Sequence, residues 1–168
     1  ELKSSSYKPD DELVNVLMQL GCYDEAGELI KKIETAGHIS PMMLRMKSRV
    51  LIVKEKYIDA LNVLKSIFSQ YKEDPYVVDN IIVLSLENKR KISQDVLDAA
   101  ISIGTARLLM LVACVYRRID KSAEAQITIT KALLRAKEED YDVYNTYFCG
   151  GMRDANSSIK ITCVDADT

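Results

Sequence analysis

Apolar residues recur every three or four positions along most of this chain, which is the pattern of helices that bury one face. The first stretch carries Leu13, Val14, Leu17 and Met18 at that spacing. Seven further stretches show the same period, over residues 26–33, 44–52, 60–68, 78–86, 96–101, 108–116 and 122–136. The pattern therefore predicts an all-α protein of eight helices, which follow one another as four helical pairs.

Start and stop signals separate these helices. Ser40–Pro41 and Asp74–Pro75 each combine a side chain that accepts hydrogen bonds from exposed amides with a proline suited to the first helical turn. Ser93 and Thr105 are predicted caps of the sixth and seventh helices, and Gly21 is predicted to end the first helix in a left-handed conformation. With 6 glycines and 3 prolines in 168 residues, breakers are too few for a strand-and-turn architecture.

A short motif repeats within these helical pairs. Residues 21–26 read Gly-Cys-Tyr-Asp-Glu-Ala, and residues 55–60, 34 positions later, read Glu-Lys-Tyr-Ile-Asp-Ala. Residues 120–125 keep the acid and the alanine but not the tyrosine. A period of 34 with a turn, an aromatic residue, an acid and an alanine is typical of stacked helical hairpins. Because small residues let two helices cross closely, Ala26 and Ala60 are predicted to have structural roles.

At these positions the chain resembles the tetratricopeptide repeat family, over roughly residues 7–137. The residues that match the family pattern are Gly21, Tyr23, Ala26, Ile30 and Ile33 in the first repeat, Ser48, Tyr57, Ala60, Leu64 and Ile67 in the second, and Ala113, Asp120, Ala125, Ile129 and Ala132 in the fourth. The third repeat departs from the pattern, since Lys89, Lys91 and Gln94 stand where glycine, tyrosine and alanine are expected.

The resemblance implies a right-handed α-α superhelix, a tetratricopeptide-like solenoid of about four helical hairpins over residues 9–148. The expected repeats cover about 7–40, 41–74, 75–104 and 105–138, with a capping helix over 140–148. Residues 1–8 and 149–168 are predicted to be flexible, although the strand-like alternation over 159–164 leaves open a tail that pairs with a partner. The alternative fold is an unrelated helical bundle in which the spacing of 34 is coincidental.

Composition narrows the class of protein. The chain is 48% hydrophobic and 29% charged, as folded globular proteins are, and its formal net charge of -2 argues against binding to nucleic acid. No apolar run approaches the roughly 18 to 20 residues of a membrane span, so no membrane partner is expected. The 4 cysteines show no metal or redox spacing and are expected to be reduced, in the cytoplasm or nucleus. Because the chain begins at Glu1, we expect it to be part of a longer polypeptide.

Residues with the spacing of a catalytic or metal site are absent from the sequence. The single histidine, His38, is predicted to be a solvated loop residue, because it has no base or metal partner nearby. The chain also lacks a glycine-rich phosphate loop and a serine elbow. We therefore expect a protein that is not an enzyme and that holds no cofactor and no metal.

What the resemblance implies instead is a concave groove lined by the first helix of each repeat. The predicted groove residues are Asn15, Arg45, Arg49, Tyr76, Asn80, Arg107, Met110 and Arg117. Arginine forks suit carboxylates and methionine adapts to its ligand, so an extended or helical protein segment with acidic character is the expected partner. The alternative is that these side chains form an ordinary solvated helix face.

The main functional prediction is a protein–protein interaction scaffold, with two alternatives. One is a self-associating subunit, a homodimer or part of a large assembly of the anaphase-promoting type, which rests on family analogy alone. The minor one is a chaperone or co-chaperone-like adaptor. Asn15 matches one position of the family's carboxylate clamp, but Asp11 and Met46 stand where lysine and asparagine are expected, which argues against this adaptor role.

Overall fold

The computed structural model describes residues 9–37 and 39–139, and every element of regular secondary structure in these ranges is a helix. They are α1 (Pro9–Gln19), α2 (Tyr23–Thr35), α3 (Pro41–Val53), α4 (Tyr57–Ile67), α5 (Pro75–Glu87), α6 (Gln94–Ile103), α7 (Ala106–Arg118) and α8 (Ser122–Glu139), with a 3₁₀ turn at Phe68–Gln70. Over the described residues, the predicted all-α class and the eight helices are confirmed, and the two helices of each predicted pair pack against each other. The segment 1–8, His38, the capping helix over 140–148 and the tail over 149–168 lie outside the described residues.

The chain divides into two compact units at the boundary between Gln70 and Tyr71. The first unit contains α1 to α4, and the second contains α5 to α8. Within each unit the helices contact one another in the same order: each helix touches the next one along the chain. The first helices of the two successive pairs also touch, α1 with α3 and α5 with α7.

Both units bury an apolar core, and the first one corrects part of the predicted helix stripe. Val14 and Met18 of α1 are buried together with Ala26 and Ile30 of α2 and three residues of α3, Met43, Met46 and Val50. Leu13, predicted to belong to the inward stripe of α1, is instead 51% exposed. Val14 and Met18 are four positions apart and therefore share the buried face of α1. Leu13 lies at the margin of that face.

The same backbone turn joins the two helices of all four pairs. One residue in each turn has a positive φ: Gly21 (78°), Glu55 (58°), Lys89 (52°) and Asp120 (58°). The amide that follows each of these residues donates to a carbonyl five residues earlier, in the bonds Cys22–Leu17 (2.9 Å), Lys56–Leu51 (2.8 Å), Arg90–Ser85 (2.8 Å) and Lys121–Tyr116 (2.9 Å). This pattern is the Schellman motif, which closes the end of a helix.

The third helical pair keeps this turn although its sequence departs from the repeated motif. Lys89 adopts the left-handed conformation that glycine adopts at Gly21, and its amide donates to the Leu86 carbonyl at 3.2 Å. Four residues, 90–93, then precede α6, whereas a single residue separates the turn from the second helix in the other three pairs. The third pair therefore differs from the others in the length of the segment after the turn, and not in the turn itself.

Three of the four predicted caps form as expected. Ser40 Oγ accepts from the Met43 amide at 3.0 Å, Asp74 Oδ1 from the Tyr76 amide at 2.9 Å, and Thr105 Oγ1 from the Leu108 amide at 3.4 Å. Ser93 occupies the position before α6, but its side chain makes no capping hydrogen bond, so that prediction is wrong. The described helices include none that is both long enough and apolar enough to cross a bilayer.

Candidate partner-binding site

In the first unit, three of the predicted groove residues lie on the two helices that begin successive pairs. Asn15 is half-buried in α1, Arg45 is half-buried in α3, and Arg49 is exposed one turn further along α3. Residues four apart share one face of a helix, so both guanidinium groups belong to the same face of α3. Because α1 contacts α3, the structure supports a shared surface of these two helices.

A second set of cations, Lys47 of α3 and Lys54 directly after α3, lies on the side away from the two arginines. Lys47 Nζ lies 2.7 Å from Glu34 Oε2, and Lys54 Nζ lies 2.6 Å from Asp24 Oδ1. Both acids belong to α2, so the two ion pairs link α2 to α3 and to the residue that follows it. The hydrogen bond and the charge of Lys54 lower the pKa of Asp24 below its ordinary value.

In the second unit, Arg107 already binds a carboxylate of its own chain. Its Nε lies 2.6 Å from Asp79 Oδ1, and its Nη2 lies 3.0 Å from Asp79 Oδ2. The two side chains are only 26% and 14% exposed. A forked arrangement of this kind is the strongest form of arginine–carboxylate contact. A partner's carboxylate at Arg107 would therefore have to compete with Asp79. The contact between Asp79 and Arg107 joins α5 to α7.

Met110 lies in the core and not on an open surface. It is 1% exposed and packs with Ala106 and Leu109 of α7 and with Ala132 and Ala136 of α8. The structure thus corrects its predicted place in a groove lining, because a partner could reach it only if α7 and α8 separated. Its position in the family pattern could not reveal this, since the depth of burial depends on where α8 packs.

The other predicted residues of the second unit differ in how available they are. Asn80 Nδ2 donates to the Tyr76 carbonyl at 2.8 Å, so its amide nitrogen is engaged within α5. Tyr76 is half-buried near the start of α5, and Arg117 is exposed in the last turn of α7. Arg117 is therefore the most accessible of the predicted cations in this unit.

Sequence reasoning missed two charged contacts at the ends of α5 and α7. Arg118 Nη1 donates to the Leu86 carbonyl at 2.9 Å and so stabilises the end of α5. Burial raises the pKa of Glu87, the last residue of α5, while the positive charge of Arg118 acts in the opposite direction. The sequence did contain a signal for the Asp79–Arg107 pair, because these two residues carry opposite charges on the first helices of successive predicted repeats. Arg118 gave no comparable signal.

The described residues contain no group of three or more histidine, cysteine, aspartate or glutamate side chains placed to hold a metal ion. Comparison of the chain with protein-family models, with curated proteins and with solved structures found no match in any of the three.

Proposed function

We propose that this chain is a right-handed solenoid of the tetratricopeptide type that acts as a non-enzymatic protein-interaction module. The observation that carries the proposal is the recurrence of one backbone turn at residues 21, 55, 89 and 120. In the first, second and fourth pairs a single residue follows this turn, so the second helix begins at the same distance from it. Repetition of one supersecondary unit is what produces a solenoid. The matching order of helix contacts within the two units supports the same architecture.

The proposed partner is a protein segment that carries carboxylates. Support comes from α3, where Arg49 is exposed and Arg45 lies on the same face, and from the exposed Arg117 of α7. Arg107 contributes less in this proposal, because Asp79 holds its guanidinium. The charge on α3 is therefore where recognition of an acidic segment is concentrated.

The test uses the full chain and a short acidic peptide rich in glutamate and leucine. Arg49→Glu, and separately Arg45→Glu with Arg49→Glu, should weaken binding at least about tenfold, the equivalent of one charge-assisted hydrogen bond of about 1.5 kcal/mol. Titration calorimetry measures the affinity, and circular dichroism melting checks that each variant is folded. Arg90→Glu is the matched control, since Arg90 is exposed in a turn outside the predicted groove. Unchanged affinity in both α3 variants would refute the groove proposal.

A second candidate, self-association, is favoured by the exposed apolar surface of the second unit. Ile127, Leu133 and Leu134 of α8 are 58%, 48% and 62% exposed. A hollow of about 370 Å³, with Ile101, Leu109 and Leu134 in its lining, lies beside them. Large exposed apolar patches are typical of interaction sites. Leu134→Asp should shift the sedimentation mass from dimer to monomer, and a wild-type mass near 18.9 kDa at high concentration would exclude self-association.

We also propose that the protein works in a reducing compartment, the cytoplasm or nucleus. Within the described residues, Cys22 and Cys114 form no disulfide, which is compatible with this placement. Fractionation of cells that express the tagged full-length protein would test it, and recovery in the secreted fraction would contradict it. The chaperone-adaptor alternative has no added support from the clamp positions.

A further inference from the structure

The first unit contains a hollow between α2 and α3 that is separate from the proposed groove. Its volume is about 280 Å³, and its apolar lining includes Ile30, Val50 and Leu51. At about 100° per residue, Lys47 points roughly 200° around α3 from Arg45. The hollow, which Lys47 lines, therefore lies on the side of α3 away from Arg45 and Arg49.

The charged lining of this hollow is predominantly positive. Four lysines contribute to it, Lys31, Lys47, Lys54 and Lys56, against the single acid Glu28. Glu34 and Asp24 of α2 neutralise Lys47 and Lys54 from positions outside the lining. Lys31 and Lys56 are exposed and take part in no ion pair among the described residues. Two ammonium groups therefore stand beside apolar surface, with Glu28 as the one acid in the lining.

Gly27 is the third feature of the hollow, and packing does not explain it. A glycine inside a helix such as α2 destabilises it by about 1 kcal/mol relative to alanine. A Cβ at this position would meet only Lys54 Nζ at 3.3 Å and Val50 Cγ1 at 3.4 Å, and the first is the end of a flexible side chain. Alanine would therefore fit with a small adjustment. Because Gly27 lines the hollow and has no side chain, it keeps the space of the hollow open.

We propose that this hollow binds an acidic protein segment through one apolar side chain flanked by carboxylates. The apolar side chain would enter between Ile30, Val50 and Leu51, and its neighbouring carboxylates would meet Lys31 and Lys56. Charge complementarity selects this occupant, since a neutral or basic segment would leave both ammonium groups without a partner. The site is additional to the proposed groove, and it does not depend on that groove binding anything.

The experiment follows amide chemical shifts of the isotope-labelled full chain during titration with a synthetic peptide. The peptide has a central leucine between runs of glutamate and aspartate. One comparison peptide replaces the acids with their amides, and another replaces the leucine with glycine. The acidic leucine peptide should shift amides of residues 27–31 and 47–56 and bind at least about tenfold more tightly than either comparison peptide. Equal binding of all three peptides, or shifts confined to other residues, would overturn the proposal.

Three variants then test the assignment of the site. Lys31→Glu with Lys56→Glu should weaken binding about tenfold or more, whereas the control Lys32→Glu with Lys65→Glu, an equal change of charge at exposed positions, should change it less than about twofold. Gly27→Ala should weaken binding and leave the melting temperature unchanged or raised. Arg45→Glu with Arg49→Glu should leave the peptide-induced shifts of residues 27–31 unchanged even where it weakens binding at the groove, which separates the hollow from the groove. Equal loss in the lysine control, or full binding by Gly27→Ala, would refute the hollow as the site.

Discussion

The pairs α5–α6 and α7–α8 share one backbone turn but pack their helices differently. α7 and α8 lie close together along far more of their length than α5 and α6 do. Seven residues before the turn, the first helix carries Ile82 in one pair and Ala113 in the other. The fourth residue of the second helix is Leu97 in one pair and Ala125 in the other, and all four side chains are almost fully buried.

The comparison separates two determinants of a helical hairpin. The turn decides that the second helix folds back, and it does so equally well with Lys89 and with Asp120. The size of the residues at the buried positions then limits how near the two helices come, because small side chains permit close approach. Helix length adds to the difference, since α6 has 10 residues and α8 has 18. The first unit repeats the trend: α3–α4, with Ser48 and Ala60, is closer than α1–α2, with Val14 and Ala26.

The largest expected effect is at Leu97, which is 3% exposed. If α5 and α6 cannot move together around a smaller side chain, Leu97→Ala should destabilise the protein by about 2–5 kcal/mol through lost burial and a cavity. Urea denaturation measures the change, with Leu20→Ala as the control because Leu20 is 71% exposed. A loss of stability below about 1 kcal/mol would mean that α5 and α6 can move together. The size of the buried residues would then not determine the spacing of the two helices.

The reciprocal change at the close pair should have a somewhat smaller effect. Ala125→Leu introduces a large side chain where α7 and α8 approach, and overpacking of this kind costs about 1–3 kcal/mol. Ala123→Leu, at an exposed position of the same helix, should stay within about 0.5 kcal/mol of the wild type. Thermal and chemical melts provide the values. If Ala125→Leu were as stable as the control, small residues would not be what sets the spacing.

The shared turn can be tested with substitutions that exchange its residue types. Lys89→Gly should stabilise the protein by about 0.5–1 kcal/mol, because a side chain in the left-handed conformation is unfavourable. Gly21→Ala should destabilise it by about 1 kcal/mol through φ alone, since a Cβ there would meet nothing within 4 Å. Lys91→Gly, beyond the turn, is the control and should bring no gain. Destabilisation by Lys89→Gly would show that the third pair depends on its lysine for another reason.

The smallest expected effect concerns pH at the contact between the ends of α5 and α7. Burial raises the pKa of Glu87 in the folded state above its ordinary 4.5, so the folded state holds this proton more tightly than the unfolded state does. Glu87 therefore favours folding below pH 4.5, and that contribution is lost as the pH rises through the raised pKa. Glu87→Gln should increase the free energy of unfolding slightly at pH 7, and the gain should vanish below pH 4.5. A gain that did not depend on pH would point to packing instead of charge.

How far the candidate site could be predicted differs from residue to residue. Two of the predicted groove residues, Arg49 and Arg117, are exposed on the first helices of their pairs. The sequence pattern placed the opposite charges of Asp79 and Arg107 on successive repeats, but it did not show that they would pair, nor that Met110 would be 1% exposed beneath α8. The hollow around Gly27 was also missed, because its lysines come from α2, α3 and the turn after α3. Each omission concerns a contact between residues of different helices.

Local sequence alone was sufficient for the positions of the eight helices and for three of their four predicted caps. Apolar periodicity, proline, and serine, threonine or aspartate act within one or two turns of the chain, so their effect is readable without knowledge of the neighbours. Only the tertiary structure decided that Lys89 takes the conformation of Gly21, that Arg107 is held by Asp79, and that α7 and α8 have the most extensive contact of the helical pairs. These outcomes depend on which helices pack together, because burial and pairing are properties of the surroundings and not of the residue itself.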